Sequence, residues 1–222
     1  LWQIVVRIDT DCGVSGWGYG GGGKAAVPIV NGHFRELLLN REMSGTDDIA
    51  GIWDDLYYAS LPYGRKGIAV MALSGVDLAL WDLLGKTENR TVCELLGGQR
   101  RDRVRAYATG PDATWYRDLG FDAHKITALV DGMAAPESTV VEWAEASRRA
   151  LGPDALLMID AYMTWDTAFA EQMATSLAPY RIHWFEDVLM PDDTAGLAAL
   201  RPRIKPILSA GGEHEFTVHG FA

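Results

Sequence analysis

The pattern of apolar and polar residues changes near residue 100. Before this point, alternation predicts one strand over residues 1–10 and a second, short strand around Trp17 and Tyr19. Apolar residues at helical spacing then predict three helices, over residues 25–39, from a cap at Thr46 and Asp47, and over about residues 66–86. Residues 1–100 are therefore expected to form an α+β domain, and its start is expected to be clipped, because the chain opens inside a strand.

After residue 100, short apolar runs alternate with amphipathic segments. The predicted strands are residues 103–108, 123–129, 156–160, 182–186 and 206–210, and the predicted helices are residues 138–150, 166–178 and 192–200. Strand and helix in repeated alternation predict parallel strands joined by right-handed crossovers. Residues 101–222 are thus expected to form the first part of a (β/α)₈ barrel, about five of its eight strands. Because such a barrel would be open at both edges, we expect the sequence to be a segment of a longer protein or the rest to be unobserved.

Charge and composition argue against several classes of function for this chain. The net charge of −10 and the pI near 4.9 argue against binding to nucleic acid and to anionic membrane surfaces. No uninterrupted apolar run approaches the ~18 residues of a membrane span. The two cysteines, Cys12 and Cys93, do not make a disulfide framework and fit a reducing, cytoplasmic location.

Three carboxylates follow apolar runs in the second region at nearly equal intervals. They are Asp160, Glu186 and Glu213, separated by 26 and 27 residues, about one strand-plus-helix unit of a barrel. Charges at the ends of neighbouring buried strands need a partner, and oxygen ligands alone favour a hard cation, Mg²⁺ first. The alternative is that the three residues are unrelated helix N-caps.

Two further residues are candidates for chemistry at the strand ends. Lys125 lies near the end of the second barrel strand, where it could act as a base, neutralise an anionic substrate, or only pair with a carboxylate at the barrel mouth. His214 follows Glu213 and could donate to a substrate oxygen or bind the next loop. Trp184 is expected to be a packing residue, and Asp187 is expected to support the site or cap a helix.

Several segments together resemble the mandelate racemase subgroup of the enolase superfamily. The resemblance spans nearly the whole chain and is carried by residues 63–86, 94–98, 107–110, 120–125, 158–166, 184–193 and the Gly-Glu-His-Glu segment at 212–215. It implies a capping domain on a modified TIM barrel, with Mg²⁺ held by Asp160, Glu186 and Glu213. It also implies a small-molecule sugar acid as substrate, proton abstraction next to the carboxylate, a metal-stabilised enediolate, and a homo-oligomer.

The sequence departs from the subgroup pattern at two places. Many members carry Lys-x-Lys on the second strand, whereas residues 123–127 read Ala-His-Lys-Ile-Thr, with Lys125 alone. This favours the acid-sugar dehydratases over the racemases. The His-Asp acid/base pair of the family comes from later strands than those present here. A racemase or cycloisomerase, and a non-catalytic sugar-acid-binding relative, are the alternative functions.

Overall fold

The chain folds into two compact units, each with its own hydrophobic core. The computed structural model describes residues 3–212 and 214–221, without the side chain of His219. One unit comprises the described residues up to Asp102 together with Phe216–Gly220, and the other comprises the described residues of Arg103–Glu215 together with Phe221.

The N-terminal unit is a β-hairpin packed on helices. Its elements are strands β1 (Ile4–Asp9) and β2 (Ser15–Gly20), helix α1 (Gly23–Pro28), a π-helical turn (Ile29–Phe34), and helices α2 (Arg35–Leu38), α3 (Thr46–Ser60), α4 (Ile68–Glu88) and α5 (Val92–Leu95). The two strands are antiparallel. The predicted helix over residues 25–39 is present, but the π-helical turn splits it into two short α-helices.

The glycines of β2 allow α4 to lie directly against the hairpin. A Cβ atom at Gly16, Gly18 or Gly20 would come within 2.1–2.3 Å of a carbonyl oxygen of α4. These three residues share one face of the strand because side chains alternate along it. By length and composition α4 could cross a membrane, but more than half of its apolar window is buried inside the protein, as in the core helix of a globular domain.

The predicted cap of α3 is wrong in its residues. The helix is capped at Gly45, and Asp48 in its first turn accepts hydrogen bonds from the backbone N–H groups of Ser44 and Gly45, at 2.7 and 3.1 Å. Thr46 and Asp47 lie inside the helix. An acidic residue three positions after the cap accepts the N–H of the cap residue itself, so this half of a capping box forms even though glycine has no side chain.

The second unit alternates strands and helices. Its elements are β3 (Ala108–Thr109), α6 (Ala113–Asp118), β4 (Ala123–Thr127), a small hairpin of β5 (Leu129–Val130) and β6 (Met133–Ala134), α7 (Glu137–Leu151), β7 (Leu156–Asp160), α8 (Thr167–Ser176), a 3₁₀ turn (Ala178–Tyr180), β8 (Ile182–Glu186), α9 (Thr194–Leu200) and β9 (Leu208–Ala210). A last short helix, α10 (Thr217–Phe221), is grouped up to Gly220 with the first unit.

The larger sheet of this unit is parallel, in the order β3-β4-β7-β8-β9. Among the described strands, β3 and β9 are the two edges and do not pair with each other, so the five strands form an open arc. This confirms the predicted fold class, the first part of a barrel. The outward-facing residues Ile126, Ile159 and Phe185 are paired across three strands and join the core beneath the helices.

The predicted strand over residues 103–108 is wrong for most of its length. Only Ala108 and Thr109 pair with β4, whereas residues 103–107 carry no strand pairing and Val104 is 82% exposed. The alternation of arginine with valine and alanine resembles a half-buried strand in sequence. The arginines instead remain in solvent, where Arg105 pairs with Asp122.

A buried histidine ties the first two strands of the arc to α7. His124, on β4, is 1% exposed. Its Nε2–H donates to the carbonyl oxygen of Gly110 at 2.7 Å, so Nδ1 accepts from the hydroxyl of Ser147 at 3.1 Å. Burial lowers the pKa of His124, and the hydrogen bond to Gly110 opposes that shift only in part. The imidazole is therefore neutral at pH 7 in the folded state.

Because His124 has a lowered pKa in the folded protein, we expect the free energy of unfolding to decrease in mild acid. The unfolded chain binds a proton on this residue below its ordinary pKa of 6.5, whereas the folded chain does not. The contribution is complete above pH 6.5 and falls by about 1.4 kcal/mol per pH unit below it, down to the lowered pKa. Urea unfolding at pH 7.5 and 5.5 should show a smaller acid loss for His124→Gln than for the wild type. An equal loss in both proteins would contradict this assignment, and His183→Gln controls for removal of a histidine elsewhere.

Candidate functional site

Strand register brings three charged side chains to one face of the parallel sheet. Asp160 and Glu186 are the last residues of β7 and β8 and pair directly with each other, and Thr127 pairs with Asp160 on the other side. Lys125 lies two residues before Thr127, so it points to the same face. Two residues of strand span about 6.6 Å, which an extended lysine side chain can reach across. The carboxyl ends of the strands therefore carry one cluster of charges.

The two carboxylates differ in their surroundings. Asp160 is 2% exposed, and its Oδ1 accepts the backbone N–H of Tyr162 at 3.1 Å. Burial raises the pKa of Asp160, against the lowering effect of hydrogen bonds from Lys125 and Tyr162. Glu186 is half-buried, and its Oε2 accepts the indole Nε1–H of Trp184 at 2.9 Å.

Lys125 joins the two carboxylates. Its Nζ lies 2.6 Å from Oε1 of Glu186 and 3.1 Å from Oδ2 of Asp160, and its side chain is 11% exposed. Burial by itself would lower the pKa of Lys125, but the hydrogen bonds and charges of Glu186 and Asp160 outweigh it and raise the pKa. The side chain is therefore an ammonium ion at neutral pH. The predicted pairing with barrel-mouth carboxylates is present, and it leaves Lys125 facing the strand ends.

The alternative reading of the acidic residues as helix caps is wrong for two of them. The helices that follow β7 and β8 are capped by Asp166 and Asp193, which accept the backbone N–H groups of Phe169 and Gly196 at 2.7 and 2.9 Å. Asp160 and Glu186 thus have no capping role that would explain their positions. Glu213, the third predicted ligand, lies outside the described residues, and its role stays a prediction.

A cavity of about 490 Å³ opens at this cluster. Its lining is made by strand ends and the residues that follow them: Lys125, Asp160, Tyr162, Trp184, Glu186, Asp187, Ala210 and Gly211. Asp160, Glu186 and Asp187 each offer one oxygen within 4.8 Å of the others, so these three could share a cation. His214 is exposed and is not among these lining residues, and its catalytic role stays a prediction.

The backbone around the cavity is fixed by unusual conformations. Tyr162, Met163 and Asp187 have positive φ angles of 48°, 59° and 42°. The N–H of Met163 donates to the carbonyl oxygen of Asp187 at 2.5 Å, which joins the segments after β7 and β8. Residues other than glycine are uncommon in this region of φ and ψ and are enriched at functional sites.

Sequence reasoning missed two aromatic residues of the site. Trp184 was expected only to pack, yet it lies two residues before Glu186 and so shares its face. Tyr107 packs edge-on against Trp184, with ring centres 5.7 Å apart, and the Lys125 ammonium lies 5.6 Å from the centre of the Tyr107 ring. The alternation of side chains along β8 could have indicated that Trp184 lies on the same face as Glu186. Tyr107 lies in the segment wrongly predicted as a strand, so the alternation of side chains could not predict its position.

Comparison with known families defines the class of protein. Residues 3–97 match the family described as mandelate racemase / muconate lactonizing enzyme, N-terminal domain, and residues 111–222 match the enolase C-terminal domain-like family. The chain belongs to the enolase superfamily, in its mandelate racemase and muconate lactonizing enzyme branch. The two matches correspond to a capping domain and part of a TIM barrel.

Several individual proteins of this family are similar to the chain over its whole length. A protein of Caldivirga maquilingensis is 38% identical over 224 residues, and an L-rhamnonate dehydratase of Saccharopolyspora erythraea is 37% identical over 228 residues. Both matches cover 100% of this chain, which spans only 55% and 57% of the two relatives. A crystal structure of rhamnonate dehydratase from Gibberella zeae complexed with Mg has a TM-score of 0.88 at 32% identity, over 99% of this chain and 54% of that one.

The charge cluster predicts a specific dependence of stability on Lys125. Lys125→Met should leave Asp160 and Glu186 adjacent and unneutralised, and removal of one partner of a buried ion pair costs about 3 kcal/mol. Unfolding in urea with a chelator present should measure this loss. Adding Glu186→Gln to Lys125→Met should restore part of the stability, because one of the two repelling charges is gone. Simple additivity of the two single losses would contradict the coupling.

Proposed function

We propose that the intact protein is a Mg²⁺-dependent dehydratase of sugar acids, with L-rhamnonate as the first substrate to test. The observation that carries the proposal is the convergence of Asp160, Glu186 and Lys125 at the carboxyl ends of adjacent parallel strands. In barrels of this kind, that end of the strands holds the active site. The relative named L-rhamnonate dehydratase supports the choice of substrate.

The donor atoms at the site fit Mg²⁺. All of them are carboxylate oxygens, the ligands that hard divalent cations prefer. Asp160 and Glu186 would hold the ion with Glu213, the third ligand that the sequence predicts, while Asp187 offers a further carboxylate beside them. When bound, Mg²⁺ would supply the positive charge that stabilises the negative charge developing on the substrate as its α-proton leaves.

Lys125 has an electrostatic role in this proposal. Its ammonium lies between the two carboxylates, whose hydrogen bonds and charges raise its pKa, and we assign removal of the α-proton to another group. Facing the cavity, it would attract the carboxylate of the substrate and orient it. We assign to His214 the donation of a hydrogen bond to a substrate oxygen, as the sequence predicts.

The reaction proposed is loss of water from neighbouring carbons. The proton on C2 is removed by a base, and the hydroxyl group on C3 leaves as water with a proton from a general acid. The resulting enol loses its hydroxyl proton and gains a proton at C3, which yields a 2-keto-3-deoxy acid. The single lysine on β4 supports dehydration over racemisation. A homo-oligomeric assembly and a cytoplasmic location belong to the same proposal.

An activity panel tests the reaction. The intact protein with Mg²⁺ should convert L-rhamnonate, or another aldonic acid of five or six carbons, to a 2-keto acid that semicarbazide detects. No product, together with deuterium exchange at C2 of an α-hydroxy acid, would transfer the assignment to a racemase. Ligand binding with neither product nor exchange would support a non-catalytic sugar-acid-binding protein.

Kinetics of a lysine variant test the electrostatic role. Lys125→Met should lower kcat/KM by about tenfold or more, because the substrate anion and its transition state lose a positive charge. Mg²⁺ affinity should hold or rise, because no ammonium then competes for the carboxylate oxygens. Lys125→Arg should retain more activity than Lys125→Met, and the exposed Lys205→Met is the control. Unchanged kinetics in Lys125→Met would reduce Lys125 to a structural ion pair.

A further inference from the structure

We propose that Trp184 is a positioning residue that sets the preference of the site for Mg²⁺ over larger cations. Its indole N–H would hold one oxygen of Glu186 and leave only the other oxygen for the ion. This inference rests on the proposed function, because it assumes that Glu186 is a metal ligand. It concerns a residue that sequence analysis assigned to packing alone.

The two oxygens of Glu186 have different donors. Oε2 accepts the Trp184 indole N–H at 2.9 Å, and Oε1 accepts the Lys125 ammonium at 2.6 Å. A carboxylate held at both oxygens cannot rotate about its last side-chain bond without breaking one of these contacts. The orientation of Glu186 is therefore fixed by its neighbours.

The two donors respond differently to a cation. The ammonium of Lys125 repels a divalent ion and competes with it for Oε1 and for Oδ2 of Asp160. The indole N–H carries no net charge, so it can stay on Oε2 while an ion occupies Oε1. Of these two donors, Trp184 is therefore the one that can orient Glu186 in both the free and the metal-bound protein.

The indole is itself held in place. Trp184 and Glu186 share one strand face, and Tyr107 packs edge-on against the indole at an interplanar angle of 82°. The Lys125 ammonium lies over that same tyrosine ring. The cation–π contact favours one orientation of Tyr107, and the edge-on contact with Tyr107 in turn favours the indole orientation that directs the N–H at Glu186.

Fixing one oxygen has a consequence for ion choice. Mg²⁺ requires near-octahedral ligands at about 2.0–2.1 Å, whereas Ca²⁺ accepts bidentate carboxylates at about 2.3–2.6 Å. With Oε2 held by Trp184, Glu186 offers a single oxygen, which suits Mg²⁺. With the N–H removed, Glu186 can turn both oxygens to the ion, which suits Ca²⁺.

Titration calorimetry with Mg²⁺ and with Ca²⁺ tests the inference on the intact protein. Trp184→Phe should raise the Kd for Mg²⁺ about tenfold, as loss of a group that orients a metal ligand commonly does. The Kd for Ca²⁺ should stay level or fall, so the preference for Mg²⁺ over Ca²⁺ declines by at least tenfold. A variant with 3-benzothienylalanine at residue 184 keeps the bicyclic shape but lacks the N–H, and it should behave in the same way. Because the shape is kept, altered packing would not explain the change in Kd.

Trp165→Phe is the matched control. Trp165 is buried in the helix-side core, and its indole N–H has no hydrogen-bond partner, so its loss should leave both Kd values unchanged. Equal weakening of both cations, or an unchanged Mg²⁺ affinity in the residue-184 variants, would overturn the inference while leaving the proposed function intact. A wild-type protein that binds no Mg²⁺ would overturn the proposed function itself.

Discussion

The repulsion between two carboxylates at the ends of adjacent strands is the constraint on which the site depends. Asp160 and Glu186 are paired in the register of β7 and β8, so their side chains leave the same face at the same height. Burial makes this arrangement costly unless a positive charge lies between them. Lys125 provides that charge from β4, and the strand order β4-β7-β8 places both carboxylates within its reach.

The parts of the fold that the sequence predicted best are those where burial and charge change abruptly. The strands at 156–160 and 182–186 were predicted to the residue, because each is an apolar run that ends at a carboxylate. Helix α7 was predicted within one residue at each end, since its apolar stripe repeats over four turns. The position of the site followed, because parallel strands bring their carboxyl ends to one edge.

The remaining features depend on contacts that a linear pattern does not contain. The segment before Ala108 alternates like a strand, but strand pairing with β4 covers only two residues. Asp187 directly follows Glu186, a predicted metal ligand. In a regular strand its side chain would therefore point to the opposite face. Its φ of 42° breaks the strand geometry at that point, which is why it lines the cavity with Glu186. A backbone turn of this kind is a tertiary outcome and not a local propensity.

Two of the tryptophans of the second unit show why the packing of an aromatic residue does not reveal its role. Trp165 lies in the loop between β7 and α8, Trp184 lies in β8, and both pack against other aromatic rings. The N–H of Trp165 meets no acceptor, so its contribution is the apolar area of the ring. The N–H of Trp184 meets a carboxylate, and a charge-assisted hydrogen bond of this kind is stronger and more directional than ring packing. The same residue type therefore packs in the core at one position and contacts a charged side chain at the other, and the difference is whether an acceptor lies within reach of the indole N–H.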